Sequence, residues 1–274
     1  MAWDDSNYLN KGFIDEVDGA LDYHGPQGVP INNQDKTITK NGTYVADEGY
    51  TGLGTVNVNV ARDDQTDIAE QFIRVIERDT SKTVTELPAG LTRIGDHAFY
   101  KCGNLVLTYL PAGVTSIGFY AFQGCRNLAL TSLPDGVTSI GSSAFDGCIN
   151  LALTSLPDGV TSIGSYVFQE CTNLPLTSLP DGVTVIGAYA FSKCTNLALT
   201  SLPDGLTKIE SYAFRTCTNL TEITFEGTPT SIDSKAFNSC SNLLTINVPW
   251  AEGAVANAPW GATNATINYN YTGG

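Results

Sequence analysis

The 274-residue chain predicts an α/β repeat solenoid with a 23-residue period and about seven coils. Three observations carry this. Every cysteine of the chain falls at one fixed interval: Cys102, Cys125, Cys148, Cys171, Cys194, Cys217 and Cys240. A Phe precedes each Cys by three, from Phe99 to Phe237, and an isoleucine column runs from Ile94 to Ile232. Residues 127–142 recur unchanged at 150–165. A fixed period in the twenties marks stacked units that bury one another rather than themselves. The full expectation adds an N-terminal capping helix, a C-terminal cap, and a small separate N-terminal helix/β module. It divides the chain into an anchoring and oligomerisation segment (1–34), a β module (35–61), a capping helix (62–82), the solenoid (83–249) and the C-terminal cap (250–274).

Residues 1–34 begin with Leu9, Phe13, Ile14, Val17 and Leu21 at helical spacing, with Asp5 or Ser6 as cap and Gly25-Pro26 as stop. Such an apolar stripe predicts self-association, as a homotrimer, or docking to a partner. The plainer alternative is a helix folded back on its neighbour. Over 36–61, Thr43-Tyr44-Val45 and 55–60 alternate as strands, with Asn41-Gly42 and a Gly-rich stretch as turns. From 64 to 79, Ile68, Phe72, Val75 and Ile76 share a helix face, and Asp63 and Asp64 sit at the positive end of its dipole. This is the helix expected to cover the first coil's open edge.

Inside each unit, Leu, Ile, Phe and Cys suit a buried ladder. The Asn column, Asn104 to Asn242, is read as a buried amide ladder bonded to the backbone or to the Asn above and below. LxLTSLP reads as a short strand, PDG as a turn, and SxxAFxxC as one helical or 3₁₀ turn. At the far end the repeat loses register, and Trp250 and Trp260 are expected to cover the last ladder. Stacking of the Trp pair on a sugar is the alternative.

This pattern, VTSIGxxAFxxCxNL in seven registered copies over residues 83–249, resembles the BspA-type leucine-rich repeat. The resemblance implies a right-handed solenoid with a parallel sheet on one face, as a rod of roughly 30–40 Å at the strand spacing. It also implies a surface protein that binds rather than catalyses, by fold-level analogy. The stretch ITKNGTYVADEGYTGLGTVNVNV is similar to a module of phage and prophage structural proteins of Gram-positive bacteria, and the tail resembles the ends of phage and bacterial proteins with the same repeat.

Composition excludes several classes. A net charge of −14 opposes nucleic-acid binding and attraction to anionic membranes. No apolar run of transmembrane length occurs. The N-terminus lacks the basic-then-apolar order of a secretory signal. Seven cysteines in one column read as free core thiols; a disulfide ladder leaves one over, and the spacing lacks the short pairs of zinc sites.

Chemistry is sparse. His24 and His97 lie far apart in unlike segments, and no Walker loop, GxSxG or HExxH occurs. No catalytic, metal or cofactor site is expected, and the chain is read as non-enzymatic. Asp135, Asp158, Asp181 and Asp204 head successive PDG turns, either as solvated turn residues or around calcium. The variable columns are the candidate ligand site: Tyr120, Tyr166, Tyr189 and Tyr212, with Tyr100 in the neighbouring column of Gln123, Asp146, Gln169, Ser192 and Arg215. An aromatic stripe with polar neighbours binds glycan or protein, or else packs coil on coil.

The sequence therefore predicts a structural and adhesive fibre or decoration subunit on a virion surface. Its N-terminal segment would contact other virion proteins, and its solenoid would hold a bacterial surface glycan or protein by avidity. The alternative is a bacterial cell-surface adhesin. An enzyme or metal-dependent module is the third class.

Overall fold

The computed structural model describes residues 85–87 and 91–272 in full and, ahead of them, the backbone of five strands. These are β1 (Phe13–Val17), β2 (Ala20–His24), β3 (Thr37–Thr39), β4 (Thr43–Ala46) and β5 (Val58–Val60). β1 pairs antiparallel with β2, Val17 opposite Ala20. β3, β4 and β5 form a three-stranded antiparallel sheet in that order. The N-terminal helix expected from the apolar stripe is thus corrected to a hairpin. Its paired ends leave Asp18-Gly19 between them, the dipeptide that most strongly favours a two-residue hairpin connection. That local signal outweighs a stripe that a strand also tolerates. Leu9 and the capping helix expected over 64–79 lie outside the described residues.

From residue 91 the chain is a parallel β-solenoid. One column of strands is β6 (Arg93–Ile94), β7 (Ser116–Ile117), β8 (Ser139–Ile140), β9 (Ser162–Ile163) and β10 (Val185–Ile186). After β11 (Ser201–Leu202) it continues with β12 (Lys208–Ile209), and after β13 (Glu222–Phe225) with β14 (Ser231–Ile232). A second column comprises β11, β13, β15 (Thr245–Asn247) and β16 (Thr266–Asn268). Paired strands of the first column are offset by one full repeat, Ile94 on Ile117 and Ile186 on Ile209. The first column is interrupted once. β6-β7-β8 and β9-β10-β12-β14 are separate sheets, because β8 and β9 do not pair.

The core is a set of vertical ladders. The seven Phe from Phe99 to Phe237 are fully buried, and their rings stack at 5.0–5.7 Å. Such pairs contribute about 0.5–1.5 kcal/mol each beyond area burial. All seven cysteines are buried as thiols, and none forms a disulfide. Each thiol from Cys125 onward donates to the carbonyl of the Phe one coil back, as Cys148 Sγ does to Phe122 O at 3.0 Å.

No helix occurs among the described residues, which corrects the α/β expectation. The third side of each coil is a chain of turns whose N–H groups alternate in direction. Gln123 donates to Tyr120 O and Cys125 to Phe122 O within the coil, while Tyr120, Phe122 and Gly124 donate forward to Ser142, Ala144 and Asp146. An α-helix would keep every N–H within its own segment. Here every second one is spent on holding the next coil. The pattern needs left-handed backbone twice per coil. His97, Tyr120, Ser143, Tyr166, Tyr189 and Tyr212 have φ of 56–61°, and Lys101, Glu170, Lys193, Thr216 and Ser239 have φ of 58–63°. Only in two coils is the second position glycine, Gly124 and Gly147. A left-handed non-glycine residue costs roughly 1–2 kcal/mol.

The Asn column faces solvent from Asn127 to Asn242, not the core as expected. Its amides still tie coils together: Asn127 Nδ2 donates to Gly103 O at 2.6 Å, and Asn173 Nδ2 to Asn150 Oδ1 at 3.2 Å. Exposed amides need no buried partner, so the ladder survives at the surface.

The tail forms an eighth coil. Trp260 stands one period after Phe237, is fully buried, and its carbonyl accepts the Phe237 N–H at 2.9 Å. Its indole N–H donates to Ala256 O at 2.7 Å, and Trp250 meets it edge-on at 6.3 Å. β16 adds to β15 in parallel, Ile267 beside Ile246. The solenoid therefore has one coil more than the sequence predicts.

Candidate ligand-binding face

The turn side of the coils presents the variable residues, and its backbone decides their direction. Where the first left-handed residue of a coil is His or Tyr, its side chain points out, while the next two point in. Tyr120 is 38% exposed, whereas Ala121 and Phe122 are fully buried. Repetition at the coil period places His97, Tyr120, Ser143, Tyr166, Tyr189, Tyr212 and Lys235 in one column, in which Ser143 alone is buried.

Two aromatic groups result. Tyr166, Tyr189 and Tyr212 stack at 5.1 and 5.0 Å, with interplanar angles of 5° and 25°. Arg215 and Lys235 place cationic groups 5.9 and 5.5 Å from the Tyr212 ring. At the other end, Tyr120 stacks on His97 at 4.8 Å, and Tyr100 meets His97 edge-on at 5.9 Å. Lys101 Nζ sits 4.9 Å from the Tyr100 ring. Of the five tyrosines singled out from sequence, four share the column. Tyr100 is brought to its first member only. His97 and Lys235 belong to the column as well, and the spacing alone identifies them.

A polar ladder runs beside the rings. Asp146 accepts from Gln123 Nε2 at 2.6 Å and from Gln169 Nε2 at 3.3 Å. Burial pushes the Asp146 carboxyl above its ordinary range, and the two amides partly offset this. Farther along, Lys193 Nζ pairs with Glu170 Oε1 at 2.6 Å across one coil step. An exposed pair of this kind contributes about 0–1 kcal/mol.

Other candidate features separate from this face. Asp135, Asp158, Asp181 and Asp204 head their turns away from the tyrosine column, and Asp181 and Asp204 border a shallow open groove with Ser178, Ser201 and Glu226. Among the described residues, no group of three His, Cys, Asp or Glu side chains can hold a metal ion. Trp250 and Trp260 are buried in the last coil and present no stacking face for a sugar.

Comparison with known proteins follows the repeat. A family profile described as "BspA type Leucine rich repeat region" matches residues 92–198 and 161–252, in six copies. This repeat is a non-catalytic scaffold, and the chain is non-enzymatic. Solenoids of this kind bind protein or glycan. No curated protein matches the chain. Among solved structures, the T. pallidum leucine-rich repeat protein is 32% identical over 57% of this chain and 76% of its own, at a TM-score of 0.49. A Eubacterium ventriosum leucine-rich repeat protein is 22% identical over 82% of this chain and 55% of its own, at 0.50, and shows the fold. A leucine-rich cell surface protein from Faecalibacterium prausnitzii is 19% identical over 87% of this chain and 95% of its own, at 0.42.

All three are bacterial proteins and none is from a phage. The profile match begins at residue 92 and gives no support to the phage-like reading of 36–61. The expectation of a fibre or decoration subunit on a virion, with virion partners, is corrected accordingly. The bacterial-surface alternative is left as a proposal.

Proposed function

The chain belongs to the BspA-type leucine-rich repeat family, and from that premise we propose that it is an adhesive module of a bacterial cell surface. Its turn face holds a glycan on an opposing surface, through Tyr120, Tyr166, Tyr189 and Tyr212, with Tyr100 at the margin. One observation carries the reading. Four tyrosines occupy backbone that disfavours any side chain, yet their rings stack outward at the solvent boundary rather than filling the core. The core is already complete with Phe and Cys ladders beneath them. Each ring gives a weak contact, and repetition at coil spacing multiplies it by avidity.

Self-association is the second part of the proposal. Phe13, Ile14, Val17 and Leu21 lie in the β1–β2 hairpin rather than on a helix. A lone two-stranded hairpin is marginal in water, and pairing with another copy's hairpin would stabilise it. A homotrimer formed this way would present three stripes together. Light scattering of the full chain tests the trimer; a monomeric mass contradicts it.

The test of adhesion uses beads coated with the full chain on a mucin-coated surface under flow. Retention that soluble mucin competes away is the expected result. Retention equal to that of beads coated with albumin contradicts the proposal.

A further inference from the structure

The strand side of the solenoid carries a trough that the tyrosine face does not share. Three hollows open over β11 and β13. One of about 490 Å³ is bordered by Asp181, Asp204 and Glu226, and one of about 690 Å³ by Phe225, Glu226 and Tyr271. The third, of about 370 Å³, is bordered by Leu199 and Glu222. Ser201 and Glu226 line the first two in common, and Thr200 and Thr224 line the last two, so the three form one continuous depression. Its space comes from side-chain size. The hydroxyl residues are short, and the buried Leu199 and Phe225 give it an apolar floor. Volumes of this order suit a ligand.

The repeat is broken at the centre of this trough. Glu226 stands where every other unit from Pro88 to Pro249 carries proline. Stacking does not demand the change, because Pro203 and Pro249 serve in the coils on either side. Glu226 is exposed, as are Asp181, Asp204 and Glu222. The buried Asn247 donates to Glu222 Oε1 at 2.6 Å and fixes that carboxylate. Among the described residues, no ion pair engages Asp181, Asp204 or Glu226. No Lys or Arg lines any of the three hollows. Four carboxylates therefore border an apolar floor with no cation among them. A bare metal ion does not answer this arrangement, because no three of these acids converge on one point. Its complement is a chain that brings positive charge on long side chains, with apolar side chains for the floor.

The length fits as well. From Asp181 to Tyr271 is about four coil steps, roughly 19 Å at the strand spacing, or about six residues of extended chain. Tyr271, 37% exposed at the far end, offers a ring to a guanidinium. We propose that this trough docks an extended segment of a partner protein that carries both Arg or Lys and apolar side chains. The site is separate from the tyrosine column and gives the chain a cationic protein partner besides a glycan.

The test is fluorescence anisotropy of the full chain with a labelled hexapeptide of alternating Arg and Leu, beside peptides in which Gln or Glu replaces Arg. Two double variants decide it. Asp181→Asn with Glu226→Gln removes two charges from the trough and keeps its shape. Asp135→Asn with Glu252→Gln removes the same charge from exposed positions that line none of the hollows. The trough predicts saturable binding of the Arg peptide, roughly tenfold weaker binding of the Gln peptide and none of the Glu peptide. The first double variant weakens the Arg peptide roughly tenfold and the second less than about twofold. Equal weakening in the two doubles would reduce the binding to diffuse attraction by a chain of net charge −14, and overturns the trough. A Gln peptide that binds as tightly as the Arg peptide, or an Arg peptide that does not bind, also overturns it. Neither result bears on the tyrosine face, which the bead assay decides by itself.

Discussion

The thiol of Cys171 donates to the carbonyl oxygen of Phe145, 3.1 Å away in the preceding coil, and the same oxygen accepts the Cys148 N–H at 3.0 Å. Both lone pairs of a buried carbonyl are thereby used, one within its coil and one between coils. The arrangement recurs up the solenoid and explains why the column is cysteine. Neither alanine nor a larger apolar residue offers a donor to that carbonyl.

Replacing Cys171 with Ala removes that donor and leaves a small void. The expected loss is about 1–2 kcal/mol of stability. Urea denaturation of Cys171→Ala beside the exposed control Ser155→Ala measures it; equal midpoints would show the thiol bond to be idle.

Stability should also fall in mild alkali. Burial pushes the thiols of Cys148, Cys171 and Cys194 far above their ordinary value. The folded state keeps these protons, while the unfolded chain releases them above about pH 8.5. The unfolded state then binds fewer protons, so unfolding becomes easier as pH rises. Each thiol contributes about 1.4 kcal/mol per pH unit in that range. Below about pH 8 both states keep the protons and the loss is absent. Denaturation midpoints at pH 7.5, 8.5 and 9.5 should decline chiefly across the last step, and less steeply in Cys171→Ala.

Thr216 is a β-branched residue at φ 59°. The equivalent positions Gly124 and Gly147 show that glycine serves there. Thr216→Gly relieves the left-handed strain against a smaller entropic cost in the unfolded chain, a net gain of about 1 kcal/mol. A higher urea midpoint is the expected reading; a lower one would mean that the Thr216 side chain contributes more than its backbone costs.

The gap between β8 and β9 predicts uneven protection. Gly141 N–H donates to Ile117 O at 2.8 Å and Gly187 N–H to Ile163 O at 2.8 Å, whereas no such bond joins Gly164 to Ile140. Native-state hydrogen exchange at Gly164 should be faster than at Gly141 or Gly187. Equal rates would place all three in one continuous ladder.

The architecture was legible because every buried ladder residue repeats at one period, and arithmetic alone aligns Phe99 with Phe237. The same arithmetic reaches Trp260, but the change from Phe to Trp hid the eighth coil. The turn side reads from sequence as one helical or 3₁₀ turn, and i→i−3 bonds such as Gln123 N–H to Tyr120 O do occur there. What decides it is the alternation of N–H direction between coils, a long-range property that local propensity does not contain. At the N-terminus the apolar stripe fits strand and helix alike, and the Asp18-Gly19 dipeptide is the feature that separates the two. The tyrosine column was visible because its spacing equals the coil period.

The most direct test of the adhesive account replaces Tyr120, Tyr166, Tyr189 and Tyr212 together with Ser, the residue the fold already carries at Ser143. The quantity to measure is bead retention on mucin under flow, with wild-type and variant chains matched for thermal midpoint. The account predicts that the quadruple variant falls to the albumin background. Retention equal to wild type would contradict it and place adhesion on another face of the solenoid.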